Sequence, residues 1–135
     1  YRYNNSIVEP AHRELGFYYA AFGRPLAQQH LTFAFLIQNT IIIEELIRRQ
    51  FDFTFTDLET LAQAMNKNPL LVSYVEEVEY YKTIYHLGMS LYWNGRQSVG
   101  RSLWTFLSTQ PQAGEWQRRA IMQLREPRME AIAER

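Results

Sequence analysis

The sequence has no cysteine. That excludes disulfides, cysteine-ligated zinc and thiol nucleophiles, and it leaves the cellular compartment unassigned. Aspartate occurs only at Asp52 and Asp57, which leaves few candidates for carboxylate-dyad catalysis. Gly-x-Ser-x-Gly, a phosphate-binding loop and His-Glu-x-x-His are all missing. No uninterrupted apolar run reaches the roughly 18–20 residues that a membrane span needs. The nearest, Leu31 to Ile47, is broken by Gln38, Asn39, Glu44 and Glu45. Net charge is also missing, with 14 basic residues against 14 acidic ones. That balance argues against a protein that coats nucleic acid or an anionic membrane.

What is present is apolar and aromatic. Over 135 residues, 47% are hydrophobic and 15% aromatic, with nine Tyr, eight Phe and three Trp. A chain of this size and composition forms one domain with a real core. Mean hydropathy is still −0.35, because Tyr and Trp combine a polar edge with a large apolar body. Beginning at Tyr1, the chain reads as a fragment or a processed form. Asn4-Asn5-Ser6 matches the N-glycosylation pattern, a frequent accident.

The punctuation is helical. Ser6 reads as an N-cap with Glu9 three residues on, a capping box, and Pro10 in the first turn. That helix runs to Phe22 and stops at Gly23. Pro25 opens a second helix reaching Arg49. The only alternating stretch, Phe51 to Thr56, reads as a connector with aromatic plugs rather than an edge strand. Thr56 or Asp57 caps a short helix to Met65. Asn68-Pro69 starts a long helix that continues to Trp93 and ends at Asn94-Gly95. Two more run from about Gln97 to Ser108 and from about Ala113 to Leu124, and the tail Arg128–Arg135 reads as frayed helix. The expectation is an all-α domain of about six helices.

Two segments echo each other at an offset of 72 residues. Leu15, Gly16, Gly23, Arg24 and Leu31 meet Leu87, Gly88, Gly95, Arg96 and Leu103. Glycine inside a helix costs about 1 kcal/mol against alanine, so Gly16 and Gly88 imply close approach of a neighbouring helix. Leu15-Gly16…Tyr19…Gly23, followed by Ala27 and Ala34, resembles the tetratricopeptide repeat family, and Leu87-Gly88…Leu91…Gly95 resembles it more loosely. His12 and Ile84 stand where that family usually has Trp. The resemblance covers about half the chain. It implies antiparallel helical hairpins stacked as a short right-handed superhelical array. Repeat-like units fall near 7–40 and 70–110, flanking a degenerate unit at 50–68. A capping helix at 113–124 closes a single domain over 1–124, and 125–135 forms a charged tail. Leu15, Gly16, Gly23, Leu87, Gly88 and Gly95 are then the repeat-packing residues.

Neutrality is a sum of opposites: residues 51–80 carry a net −5 and residues 81–135 a net +4. On the long helix Tyr74, Val78, Tyr81, Tyr85 and Tyr92 follow helical steps on one side, and Tyr80, Ile84, Leu87 and Leu91 on another. Apolarity on two sides places that helix between neighbours. Tyr18, Arg24, Asn39, Tyr81, Tyr85, Tyr92 and Arg96 are the candidates for a binding groove of the kind helical arrays offer to peptides. The single Glu9-Pro10-Ala11-His12 spacing lacks the partners that a di-iron bundle needs. A solvated face explains Glu76, Glu77 and Glu79 near His86. No metal, cofactor or catalytic residue is expected.

The expected role is a non-catalytic module for protein–protein interaction or scaffolding. It would bind a protein or peptide partner, with self-association as a further option. One alternative is an arginine-rich domain for nucleic acid or another anionic ligand, since twelve Arg stand against two Lys. Glu126, Glu130 and Glu134 interrupt such a patch and argue against nucleic acid as the partner. The other alternative is a helical accessory domain of a larger enzyme.

Overall fold

The structure is a computed structural model and describes residues 6–131. Among the described residues it is all-helical, with seven helices and no strand. These are α1 (Val8–Ala21), α2 (Leu26–Arg49), α3 (Leu58–Met65), α4 (Pro69–Glu77), α5 (Tyr80–Trp93), α6 (Gln97–Ser108) and α7 (Glu115–Arg125), with a 3-10 turn at Pro111–Ala113 before α7. Helices adjacent in sequence pack as hairpins, α1 on α2, α5 on α6, and α6 on α7. Helix α5 also contacts α1, α2 and α7. It therefore lies between α1 and α7 and packs on α2 and α6.

Local signals account for most boundaries. The Asp57 carboxylate accepts from the Thr60 N–H at 2.8 Å and starts α3. The Asn68 side chain accepts from the Leu70 and Leu71 N–H groups, with Pro69 preset for a first helical position. The α1–α2 and α5–α6 turns are built alike. Gly23 (φ 64°) and Gly95 (φ 93°) take left-handed conformations. Beyond them, Arg24 N–H donates to the Tyr19 carbonyl and Arg96 N–H to the Leu91 carbonyl, both at 2.9 Å. This six-to-one bond satisfies a carbonyl that the helix end leaves open. A Cβ on Gly16 would stand 2.4 Å from Leu31 Cδ2, and one on Gly88 would stand 2.8 Å from Trp104 Nε1. Both glycines thus lie where a second helix presses against the first.

The core runs through α5, where Tyr80, Ile84 and Tyr85 are fully buried, and into α2 and α6 through Leu31, Ile41, Trp104 and Leu107. Leu87 belongs to this core, but Leu15 does not: it is 42% exposed. Echoing a buried position in sequence does not bury Leu15, which stays open to solvent on α1. By length and composition alone α2 is apolar enough to cross a membrane. Within the bundle it carries two fully buried polar side chains, Gln38 and Glu45, with Glu45 held by Arg48 and Arg49.

Four local expectations are corrected. The long helix expected from Asn68 to Trp93 is two helices, broken at Val78 and Glu79. Glu79 is the only described non-glycine residue with positive φ, at φ 54° and ψ 51°. A left-handed side-chain-bearing residue costs about 1–2 kcal/mol, and tertiary contacts offset it. Arg13 of α1 reaches the Glu79 carboxylate at 3.3 Å. Gln38 of α2 donates to the Val78 carbonyl at 3.3 Å, and the Thr83 hydroxyl donates to the Glu79 carbonyl at 2.9 Å. Second, Ser6 accepts from the Val8 N–H, but Glu9 forms no capping box. It turns inward to Arg13 at 2.8 Å and accepts from Gln38 at 2.9 Å. Third, of the three connector aromatics only Phe53 packs on the core, while Phe51 and Phe55 are exposed. Fourth, residues 128–131 are not helical. Glu130 instead folds back onto Tyr85 and Arg119. Asn4, Asn5 and the end of the tail lie outside the described residues.

Candidate functional site

Sequence analysis nominated seven groove residues, and the structure does not bring them to one surface. Tyr85 is fully buried. Its hydroxyl donates to Glu130 at 2.9 Å and accepts from Gln123 at 3.1 Å. Burial, reinforced by the Glu130 charge, pushes its pKa up to about 12. Tyr92 is half-buried and stacks on Trp104 at 5.4 Å. Asn39 accepts from the buried Tyr80 hydroxyl at 2.6 Å. Tyr18 is exposed on α1 against Tyr19 and Phe22. Arg24 and Arg96 are exposed in the two glycine turns. These turns lie at one end of the bundle, where Asn94 donates to Gln28 at 3.0 Å. Of the seven, Tyr81 lines a cavity of about 340 Å³, and Arg24 borders a small cleft of about 20 Å³ beside Met89 and Trp93. Helical spacing identified one side of α5 correctly as apolar but could not say which neighbour covers it.

A different set of side chains converges where α1, α5 and α7 lie side by side. Phe17 of α1 meets the edge of His86 on α5 at 5.8 Å, and Trp116 of α7 meets the same ring at 5.6 Å. Lys82, one turn before His86, holds its ammonium 4.4 Å above the Phe17 ring. Arg119, one turn after Trp116, lies 4.7 Å from the Trp116 ring and 4.9 Å from Tyr85. Cation–ring contacts of this kind contribute about 0.5–1 kcal/mol each when exposed. Glutamates compensate both cations. Lys82 is 3.8 Å from Glu79, and Arg119 is 2.7 Å from Glu130 and 3.4 Å from Glu115.

His86 is neutral in this setting. Burial among three aromatic rings, with repulsion from Arg119 and Lys82, pushes its pKa down to about 3. It packs as a neutral ring rather than serving as a proton carrier near pH 7.

Lys82 and Trp116 also line a cavity of about 340 Å³ that opens above the row of rings. Val72 and Val75 supply its apolar wall, with Tyr81 and Gln112 beside them. The Tyr81 hydroxyl accepts from Gln112 at 3.0 Å, and burial raises its pKa. The cavity therefore combines an aliphatic wall, an indole, two phenols, two amides, the Glu76 and Glu79 carboxylates and one ammonium. Its one amine, Lys82, is 3.8 Å from the Glu79 carboxylate. Among the described residues no group of three or more His, Cys, Asp or Glu side chains is placed to hold a metal ion.

Phe17, Lys82, Trp116 and Arg119 are absent from the candidates read in the sequence, and His86 figures there only beside a solvated acidic face, whereas it packs among aromatic rings. Two signals were available: Lys82 and His86 are four residues apart, and Trp116 and Arg119 three apart, so each pair shares a helix face. The juxtaposition of α1, α5 and α7 had no signal in the sequence. In the basic C-terminal third, Arg119 is paired as above, Arg101 donates to the Leu124 carbonyl at 3.2 Å, and Arg128 forms an exposed pair with Glu126 at 3.2 Å.

No known protein family, curated protein or solved structure matches this chain.

Proposed function

We propose that this chain is a non-catalytic interaction module that holds a peptide or protein segment along the face of α1, α5 and α7. The observation that carries this reading is the continuous row Phe17–His86–Trp116, edged by Lys82 and Arg119 and running into the cavity beside Tyr81. Rigid aromatic side chains supply contact area at little entropic cost. The two cations suit a segment that carries an acidic side chain next to an apolar one. That side chain would compete with Glu79 and Glu130 for Lys82 and Arg119.

The arrangement supports a tetratricopeptide-like stack: two hairpins with matching turns, a closing helix α7, and first helices placed side by side. In a right-handed superhelical array the first helices line the inner face, and here they carry the aromatic row. Scaffolding through that face needs no cofactor and no catalytic group.

Display selection of random peptides on the wild-type domain tests this reading. Selected peptides are expected to bind Lys82→Glu and Trp116→Ala at least about tenfold more weakly, or ~1.4 kcal/mol, with helical circular dichroism retained. Peptides that bind both folded variants as tightly as wild type would refute the α1/α5/α7 face as the binding surface.

A further inference from the structure

The charges of this neutral chain are sorted by position in the fold. Residues 15–43 and 80–114 contain no Asp or Glu. These two stretches hold the α1–α2 and α5–α6 turns, which lie side by side at one end of the bundle, joined by Asn94 and Gln28 at 3.0 Å. Each turn exposes one arginine, Arg24 and Arg96. The last turn of α7 reaches the same end. Arg101, one turn into α6, donates to the Leu124 carbonyl, and Met129 borders a small cleft with Arg24 and Trp93. This turn adds the exposed Arg125. Among the described residues Arg24, Arg96 and Arg125 have no carboxylate partner. The neighbouring carboxylates are taken, Glu126 by Arg128 at 3.2 Å and Glu130 by Arg119 at 2.7 Å. Glu76, Glu77, Glu79 and Glu115 stand at the opposite end, where α4 stops and α5 and α7 begin.

Between its arginines the same end exposes apolar side chains. Leu26 opens α2, Trp93 closes α5, and Tyr18 packs on Phe22 where α1 stops. Met129 is exposed at the cleft that Trp93 also borders. From Leu26 the exposed apolar row continues along α2 through Phe33 and Leu36, a span of about 15 Å at 1.5 Å per residue. Residues 26–43 contain no Asp, Glu, Lys or Arg. Only 39% of the apolar stretch of α2 is buried, so core packing does not account for the apolarity of this helix. Two of its polar side chains, Gln38 and Glu45, are fully buried while Leu26, Phe33 and Leu36 face out.

We propose that the end of the bundle carrying the two glycine turns docks on the surface of an anionic lipid bilayer. Arg24, Arg96 and Arg125 meet the lipid phosphates, Tyr18 and Trp93 lie at headgroup level, and Leu26 and Met129 reach the hydrocarbon. Unpaired cations at an end poor in free carboxylates complement a negative lipid surface. Trp, Tyr and Arg suit the headgroup layer because each joins an apolar body to a polar tip. Neither the charges nor the few apolar side chains hold a bilayer firmly alone, and here they occur together. Overall neutrality does not oppose this docking, because the carboxylates at the opposite end stand away from the lipid and orient the molecule. Nucleic acid would meet the same arginines but makes no use of the aliphatic Leu26 and Met129 or of the apolar row along α2.

The test is flotation of the full chain with vesicles of phosphatidylcholine alone and of phosphatidylcholine and phosphatidylglycerol in equal parts. Wild type is expected to float with the anionic vesicles and to be released as salt is raised. Arg24→Glu with Arg96→Glu should weaken this binding at least about tenfold, with helical circular dichroism retained. Lys67→Glu with Arg118→Glu changes the net charge equally at exposed residues away from the turns, and should bind nearly as wild type does. Because the chain has no cysteine, a polarity-sensitive dye can be placed at Leu26→Cys or at Gln50→Cys, at opposite ends of α2 and about 36 Å apart. Anionic vesicles should shift the dye emission to the blue at position 26 and leave it unchanged at position 50. The proposal is overturned by flotation no better with anionic than with neutral vesicles, by equal losses in the two charge-reversed pairs, by a folded Arg24→Glu/Arg96→Glu variant that binds as wild type does, or by no blue shift at position 26. Retention of an oligonucleotide without vesicle flotation would assign this end to nucleic acid instead.

Discussion

The α1–α2 and α5–α6 hairpins close with the same six-to-one bond, Arg24 to Tyr19 and Arg96 to Leu91, and diverge above the turn. In α1–α2 the helix glycine Gly16 faces the side chain of Leu31. In α5–α6 two glycines face each other across the helices. A Cβ on Gly100 would stand 2.6 Å from the Gly88 carbonyl oxygen and 2.8 Å from the Tyr92 backbone nitrogen. The first hairpin is thus fitted to a side chain that can move, and the second to a backbone that cannot. The same turn chemistry supports two packing depths. The closer one lies in the hairpin that also carries Trp104, a fully buried indole whose N–H donates to the Tyr85 carbonyl at 3.2 Å.

The largest expected effect tests that difference directly. Gly100→Ala forces backbone against backbone, and we expect a loss of about 3 kcal/mol in urea unfolding, the upper part of the range for overpacked sites. A loss no larger than that of Gly16→Ala would show the two hairpins to be equally deformable. For Gly16→Ala the expected net loss is about 1 kcal/mol, because Leu31 can shift and alanine regains helix propensity.

The α5–α6 hairpin carries an acid-sensitive group, His86 on α5. Its folded pKa lies near 3, below the ordinary histidine value. The unfolded chain therefore takes up a proton that the folded chain refuses, and stability falls as pH drops from about 6.5 towards 3. Allowing for the partial exposure of the ring, the loss at pH 5 is about 1–2 kcal/mol. Replacing His86 with Phe should flatten this limb of the pH–stability curve. An unchanged slope in that variant would assign the acid loss to other groups.

The smallest effect tests the likeness rather than the difference. Gly23→Ala and Gly95→Ala each place a Cβ at positive φ, at an expected cost of about 1 kcal/mol apiece. Thermal melts of the two variants should nearly coincide. A clear gap between them would mean that the shared hydrogen bond does not make the turns energetically alike.

How far each region was legible in the sequence follows from where its causes lie. The glycine turns, the Asp57 and Asn68 caps and the start of α2 at Pro25 depend on residues within a few positions, and all were readable. Gly16 and Gly88 were readable as close-approach points, though not what approaches them. The break at Glu79 was not readable. Its causes, Arg13 and Gln38, lie far away in sequence and act against local helix preference. Glu9 misled for the same reason: a capping carboxylate and a buried one look identical until Gln38 and Arg13 are seen around it. Tyr81 and Tyr85 share a side of α5, but Gln112 covers one hydroxyl, and Glu130 and Gln123 the other. The candidate site was the least legible part, since Phe17, His86 and Trp116 come from three helices.

By itself the sequence determined an all-helical chain, the places where its helices turn, and the helix positions where only glycine fits. These follow from backbone geometry and hydrogen bonding over one or two helical turns. Tertiary structure alone decided that residues 69–93 bend, that a carboxylate faces inward at Glu9, and that Phe17, Lys82, His86, Trp116 and Arg119 share one face. Those outcomes depend on which side chains from distant segments meet, and desolvation and packing set that only once the helices are assembled.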